Sequence, residues 1–149
     1  PPLPTLASSA QASASHTCTT DTLAALSDSI EPKSSQDGEI PRFTWWPQKG
    51  TREWVQYTFK TEKKVGETSV YWFDDAPHGG CRPPVKWELQ YLQDTEWRPV
   101  KNKSPYKSEL NQYNTVAFEP VSTSALRLAV RLQRDYSGGI LEWKISEAK

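Results

Sequence analysis

Seven short segments of this chain alternate apolar and polar residues with a period of two, and that periodicity leaves few folds open. Trp54 to Phe59 puts Val55, Tyr57 and Phe59 on one face, while Ala125 to Leu132 sets Leu126, Leu128, Val130 and Leu132 against Arg127, Arg131 and Gln133. Val85 to Leu92 repeats the pattern, with Trp87, Leu89 and Tyr91 opposed to Lys86, Glu88 and Gln90. Val65 to Phe73, Trp97 to Val100, Tyr113 to Phe118 and Ile140 to Ile145 complete the set. Only Thr20 to Leu26 reads as helical; it has Thr and Asp at its start but barely two turns of length. Short strands separated by turns, with no βαβ unit and no internal repeat, predict an all-β fold, an antiparallel β-sandwich of jelly-roll type.

The 149 residues suffice for one domain, large enough to bury roughly 70% of the surface its unfolded chain exposes. Residues 1–11, with Pro1, Pro2 and Pro4 among small Ala and Ser, predict an extended linker, so the folded domain is expected to span 12–149. The opening PPLPTLASSAQ lacks the charged and apolar regions of a signal peptide and reads as part of something longer. No apolar run approaches the length of a membrane span. The 18 basic and 18 acidic residues cancel, which removes the long-range field that would gather nucleic acid or an anionic membrane. Seven Trp and six Tyr with no Met give a rigid, aromatic-rich composition suited to recognition. A zinc site would have to combine Cys18 and Cys81 with His16 and His78, and the spacings argue against it. The two cysteines read either as free thiols or as one disulfide worth about 4 kcal/mol through loop closure.

The stretch from Asp37 to Trp54 crowds Phe43, Trp45, Trp46 and Trp54 among Pro, Gly, Lys and Arg. Aromatics on such a loop either plug one end of a barrel or form a platform on which a ligand stacks.

In order along the chain, ASASHTC, AALSD, FTWW, REWVQYTF, VGETSVYWF, RPPVKWELQYLQDTEWRPV, LRLAVRLQ and ILEWKIS resemble a discoidin or coagulation-factor type C domain, the galactose-binding-like jelly roll. The resemblance covers about Ala12 to Ser146. IPRFTWW and GGCRPP further resemble C-terminal modules of bacterial β-L-arabinofuranosidase-type glycoside hydrolases. Where the family has Asp-Gly before its Thr-x-Trp motif, this chain has Asp28-Ser29 and a longer spacing to Thr44, so SIEPKSSQDGEIPR is an insertion in the first loop.

The resemblance implies a structural calcium ion held by Asp28 and Glu142, because a hard cation needs several oxygens and a carboxylate on an apolar strand is otherwise costly. Asp37 is a further candidate ligand if the inserted loop folds back. It also implies that the loop YWFDDAPHGGCRPP contributes polar contacts to a sugar. Asp74, Asp75, His78 and Arg82 would hydrogen-bond paired hydroxyls, and Trp45, Trp46 or Tyr136 would stack on the ring. Each residue has a plainer reading: Trp46 and Trp72 as plugs, Asp74 and Asp75 as turn formers, Arg82 as their ion-pair partner, His78 as a turn residue and Glu142 as a solvated carboxylate.

Catalysis would need two facing carboxylates, Asp74 or Asp75 with Glu31 or Glu142, or a nucleophile built on Cys18 and His16. Adjacent aspartates on an extended chain point apart, and no base or oxyanion donors are evident. The expectation is therefore a monomeric, non-catalytic, carbohydrate-binding accessory module of a secreted or periplasmic glycoside hydrolase, with carbohydrate and the parent catalytic domain as partners. Two competing readings are a module that only packs on and stabilises that domain, and a membrane binder using Arg42, Lys49 and Arg52 beside the aromatic loop.

Overall fold

The computed structural model describes residues 2–149. Its strands are β1 (Gln11–Ala14), β2 (Phe43–Thr44), β3 (Arg52–Phe73), β4 (Lys86–Gln93), β5 (Glu96–Pro99), β6 (Asn114–Arg131) and β7 (Gly139–Glu147). Every ladder between them is antiparallel, in the order β2-β7-β3-β6-β4-β5 with β1 paired to β3. The all-β antiparallel sandwich expected from the alternation is the fold observed.

Two strands are longer than the alternation suggested. Trp54 to Phe59 and Val65 to Phe73 are halves of β3, and Tyr113 to Phe118 and Ala125 to Leu132 belong largely to β6. The polar runs between the halves read as turns but stay extended, with register shifts between Thr58 and Lys63 and between Val65 and Glu67. Such irregularities bend and twist a strand without ending it. Pro120, which has no ladder donor, lies in the unmatched stretch of β6 between Ala117 and Val121. Each long strand thus passes from one layer to the other: the first half of β3 lies among β1, β6 and β4, and its second half between β6 and β7.

The predicted helix is a 3-10 turn over Leu23–Ser27, capped by Thr22, whose Oγ1 accepts from Ala24 N at 3.1 Å. The linker expectation needs correction. Thr5 to Ala10 form a compact turn with Ser9 N donating to Thr5 O and Ala10 N to Ala7 O, Ala7 is buried in the core, and Gln11 already pairs with Thr58. Small residues packed against a sheet edge satisfied their backbone groups there, a possibility that composition alone does not reveal.

The core between the layers is aromatic. Tyr57 stacks on Trp143 with centroids 4.0 Å apart, Trp72 meets Trp87 edge-on at 5.7 Å, and Phe43 meets Trp45 edge-on at 5.1 Å. The polar ends of two of these rings are also used: Trp143 Nε1 donates to Thr68 Oγ1 at 2.9 Å, and Tyr57 Oη lies 2.7 Å from Trp143 O and 3.2 Å from Leu26 O. The Tyr57 hydroxyl therefore ties the 3-10 turn to β7. The inserted loop is pinned by reciprocal bonds between Ser35 and Asn111, at 2.9 and 2.8 Å, and by Tyr113 Oη donating to Glu31 Oε2 at 2.6 Å.

Removing the Tyr57 hydroxyl leaves buried carbonyls without their donor. Tyr57→Phe is expected to cost about 1–3 kcal/mol of stability, measured by urea denaturation with an unchanged far-UV spectrum.

Candidate functional site

At one end of the sandwich, three loops enclose an open depression of about 410 Å³. The segment ahead of the 3-10 turn contributes Cys18, Thr20 and Asp21, the aromatic loop contributes Arg42, Thr44 and Trp46, and the loop after β3 contributes Asp75, His78, Gly79 and Gly80. Asp21 organises the first two loops. Its Oδ2 accepts from Thr44 Oγ1 at 2.5 Å and its Oδ1 lies 3.4 Å from Arg42 Nε, with the carboxylate nearly buried. Arg42 rests over Phe73, 4.9 Å from the ring centroid, and stays partly exposed to the depression.

Trp46 supplies the aromatic surface. It is 37% exposed, whereas its neighbour Trp45 is fully buried and donates from Nε1 to Trp54 O at 3.2 Å. The loop after β3 rises against Trp46 because Gly80 has no side chain: a Cβ there would lie 2.2 Å from the indole. Asp75 Oδ1 accepts from Cys81 N at 2.7 Å and meets Arg82 Nη1 at 3.4 Å, while no protein donor among the described residues takes Oδ2. The depression thus offers an indole, a guanidinium, a carboxylate oxygen and an exposed imidazole. That combination can stack on an apolar ring face and hydrogen-bond to neighbouring hydroxyls.

Of the residues expected to hold a sugar, Trp46, Asp75 and His78 are brought together here. Trp45 is a core plug and cannot stack on a ligand. Asp74 is buried, its Oδ1 accepting from Ala76 N at 2.8 Å as in an Asx turn. Arg82 braces the loop from within, donating from Nη1 to Gly79 O at 2.9 Å and Cys81 O at 2.8 Å, and its guanidinium is covered by Tyr136 at 4.4 Å. Arg82, Asp74 and Tyr136 therefore set the loop's shape and do not line the depression. Nothing in the residue order marks Asp21, Thr44 or Phe73 as site residues, and Arg42 reads there only as a member of a basic cluster with Lys49 and Arg52. These three cations are used separately, Arg42 on Asp21, Lys49 5.0 Å over Trp46, and Arg52 on the outer sheet face. Cys18 and Cys81 are free thiols, and burial raises Cys81 to a pKa of about 12.

The second candidate site is Glu142. It lies on β7 opposite Tyr71, 2% exposed; Oε2 accepts from Ser29 N at 3.2 Å and Oε1 has no partner among the described residues. Burial, then the adjacent Asp28 carboxylate, raise its pKa to about 9. Two acids pressed together with one buried oxygen unsatisfied is a donor set that fits a hard cation. Asp37 is not part of it: both its oxygens cap the inserted loop, from Lys33 N at 3.0 Å and Glu39 N at 3.1 Å.

No protein-family model matches the chain. Among solved structures, it superposes on a chain from the Streptococcus pneumoniae beta-galactosidase BgaA with TM-score 0.80 and 20% identity, covering 99% of this chain and 96% of that one. The family 32 carbohydrate-binding module of C. perfringens NanJ, solved in complex with galactose, gives TM-score 0.67 at 13% identity over 93% of both chains. A chitosan-binding module from the chitosanase/glucanase of Paenibacillus sp. IK-5, solved with chitotriose, gives TM-score 0.67 at 13% identity over 95% of this chain and 98% of that one. The chain shares the β-sandwich fold of these three structures. Among the described residues no helix is long and apolar enough to cross a membrane.

Without metal, the folded state holds the Glu142 proton up to about pH 9, whereas an unfolded Glu releases it near 4.3. Stability is then full below the lower value and declines as pH rises through this window, by at most about 1.4 kcal/mol per pH unit. Urea titrations in chelator between these limits are expected to show that slope in the native sequence and to lose it in Glu142→Gln.

Proposed function

We propose that this chain is a non-catalytic glycan-binding module and that the depression around Trp46 is its sugar site. The observation that carries this reading is the partly exposed indole of Trp46 set beside an unpaired Asp75 oxygen and the Asp21-held Arg42, on loops braced from behind by Arg82. In this reading the ring of a terminal sugar lies against the indole. Adjacent hydroxyls donate to Asp75 Oδ2 and accept from Arg42, and His78 meets the exposed side. The shared fold with modules solved bound to galactose and chitotriose supports it. The likeness of IPRFTWW and GGCRPP to modules of arabinofuranosidase-type hydrolases puts arabinose- and galactose-containing oligosaccharides first among the ligands to try.

The module serves as an accessory to a secreted glycoside hydrolase. One shallow site binds weakly, and its use lies in raising the effective concentration of an attached enzyme at its polysaccharide. Isothermal titration of the folded protein with arabinose and galactose oligosaccharides is expected to give saturable binding. Trp46→Ala should weaken it roughly tenfold, the loss of one aromatic stacking contact. Silence across a broad glycan array would refute the assignment.

Calcium in this reading is structural. Glu142 and Asp28 would hold it with nearby backbone carbonyls, and the ion would neutralise the two acids and fix the start of the inserted loop against β7. Calcium is expected to raise the melting temperature and chelator to lower it, with no calcium response in Glu142→Gln.

A further inference from the structure

The outer face of the layer formed by β3, β6 and β4 carries a charge pattern that the sandwich does not need. Arg52 pairs with Arg131, and Arg131 pairs with Lys86, so three cations occupy one rung across three adjacent strands. All three are exposed on the same face, and none forms an ion pair or side-chain hydrogen bond among the described residues. Like charges directly opposite one another destabilise a sheet. The chain has equal numbers of acids and bases overall, so this is a local concentration of charge.

The next rung reads Trp54, Ala129, Glu88. Ala129 leaves a low floor between an indole and a carboxylate, and together with the cation rung it forms a groove of about 390 Å³. One rung further, Arg127 is held by Gln56 Oε1 at 3.1 and 2.7 Å and sandwiched between Trp54, at 3.9 Å, and Trp97, at 4.2 Å. Arg127 thus covers Trp54 from one side, and the register places the three free cations on the other. The groove contains two carboxylates: Glu53 is nearly buried and accepts from Ser15 Oγ at 2.7 Å, and Glu88 accepts from Gln90 Nε2 at 2.8 Å. Both are engaged, and the cations outnumber them.

We propose that this groove is a second binding site, distinct from the end-loop depression, for an oligosaccharide bearing uronate carboxylates. A planar guanidinium matches a carboxylate in bidentate fashion, so Arg52 and Arg131 with Lys86 take the acid group. The sugar ring attached to that group lies over Ala129 against the free side of the Trp54 indole, and Glu88 accepts a hydroxyl. The unpaired cation rung is tolerated because the ligand completes it. This assignment does not depend on what the Trp46 depression binds.

The test is titration of the isotopically labelled protein with tetragalacturonate at low ionic strength, followed by amide and indole shifts. A neutral galactose tetrasaccharide and a sulfated galactose tetrasaccharide, which carries no carboxylate, serve as controls. Saturable shifts of Trp54 and Ala129 with tetragalacturonate are expected, weakening as salt is added. Arg131→Gln and Lys86→Gln should each weaken that binding about tenfold, with melting temperatures unchanged or higher because repulsion is relieved. The proposal is overturned by absence of binding, by binding that both variants retain, or by a response to the sulfated or the neutral chain alone. Lowered melting temperatures in both variants would also overturn it, because the cations would then be structural. So would self-association of the protein through this face, detected by sedimentation and abolished by the same variants.

Discussion

The antiparallel pairing of β3 with β6 is the constraint on which the rest of the molecule depends. It starts at Arg52 and Arg131 and ends at Val70 and Asn114, crossing from one layer to the other. Both layers therefore share one pair of strands, and the position of one relative to the other is set by hydrogen bonds as well as by packing. Aromatic contacts then fill the space between, with Tyr57 on β3 stacked against Trp143 on β7 and hydrogen-bonded to its carbonyl. The ends of these strands launch the functional loops: β3 runs directly into Asp74 and Asp75, and β7 begins beside Phe43 and Thr44.

Much of this was legible from residue order. Period-two alternation identified the sheet-forming segments, and the inward set of Tyr57, Leu89, Leu126, Leu128 and Val130 is the core observed. The continuity of β3 and β6 was not legible, because KTEKK and the stretch around Pro120 have turn-like composition and only tertiary pairing decides that they stay extended. The packed turn from Thr5 was missed for a similar reason: proline-rich composition reports what a segment lacks and says nothing of an available surface.

The site was half legible. Trp46, Asp75 and His78 were identified by residue type on loops, where side chains are free to serve ligands. Trp45 and Trp46 are adjacent and chemically identical, yet Trp45 is sealed in the core, its backbone N donating to Gly138 O and its Nε1 to Trp54 O, while Trp46 faces outward, a distinction set by tertiary partners that residue order does not show. Asp21 was invisible as a hub because its partners Arg42 and Thr44 are about twenty residues away. The one signal that could have exposed it is that Arg42 and Thr44 flank Phe43 at alternate positions. Glu142 was legible as an anomaly, an acid between Leu141 and Trp143, and the anomaly persists in three dimensions as an unsatisfied buried oxygen.

The contact between Gly80 and Trp46 sets more than proximity. Since even one methyl at that position would strike the indole ring, the tilt of the exposed aromatic is dictated by a missing side chain on a different loop. The angle at which a ring can be received is therefore adjustable from outside the receiving residue. A designer wishing to retune selectivity would find in that glycine a steering point, with the rest of the pocket left untouched.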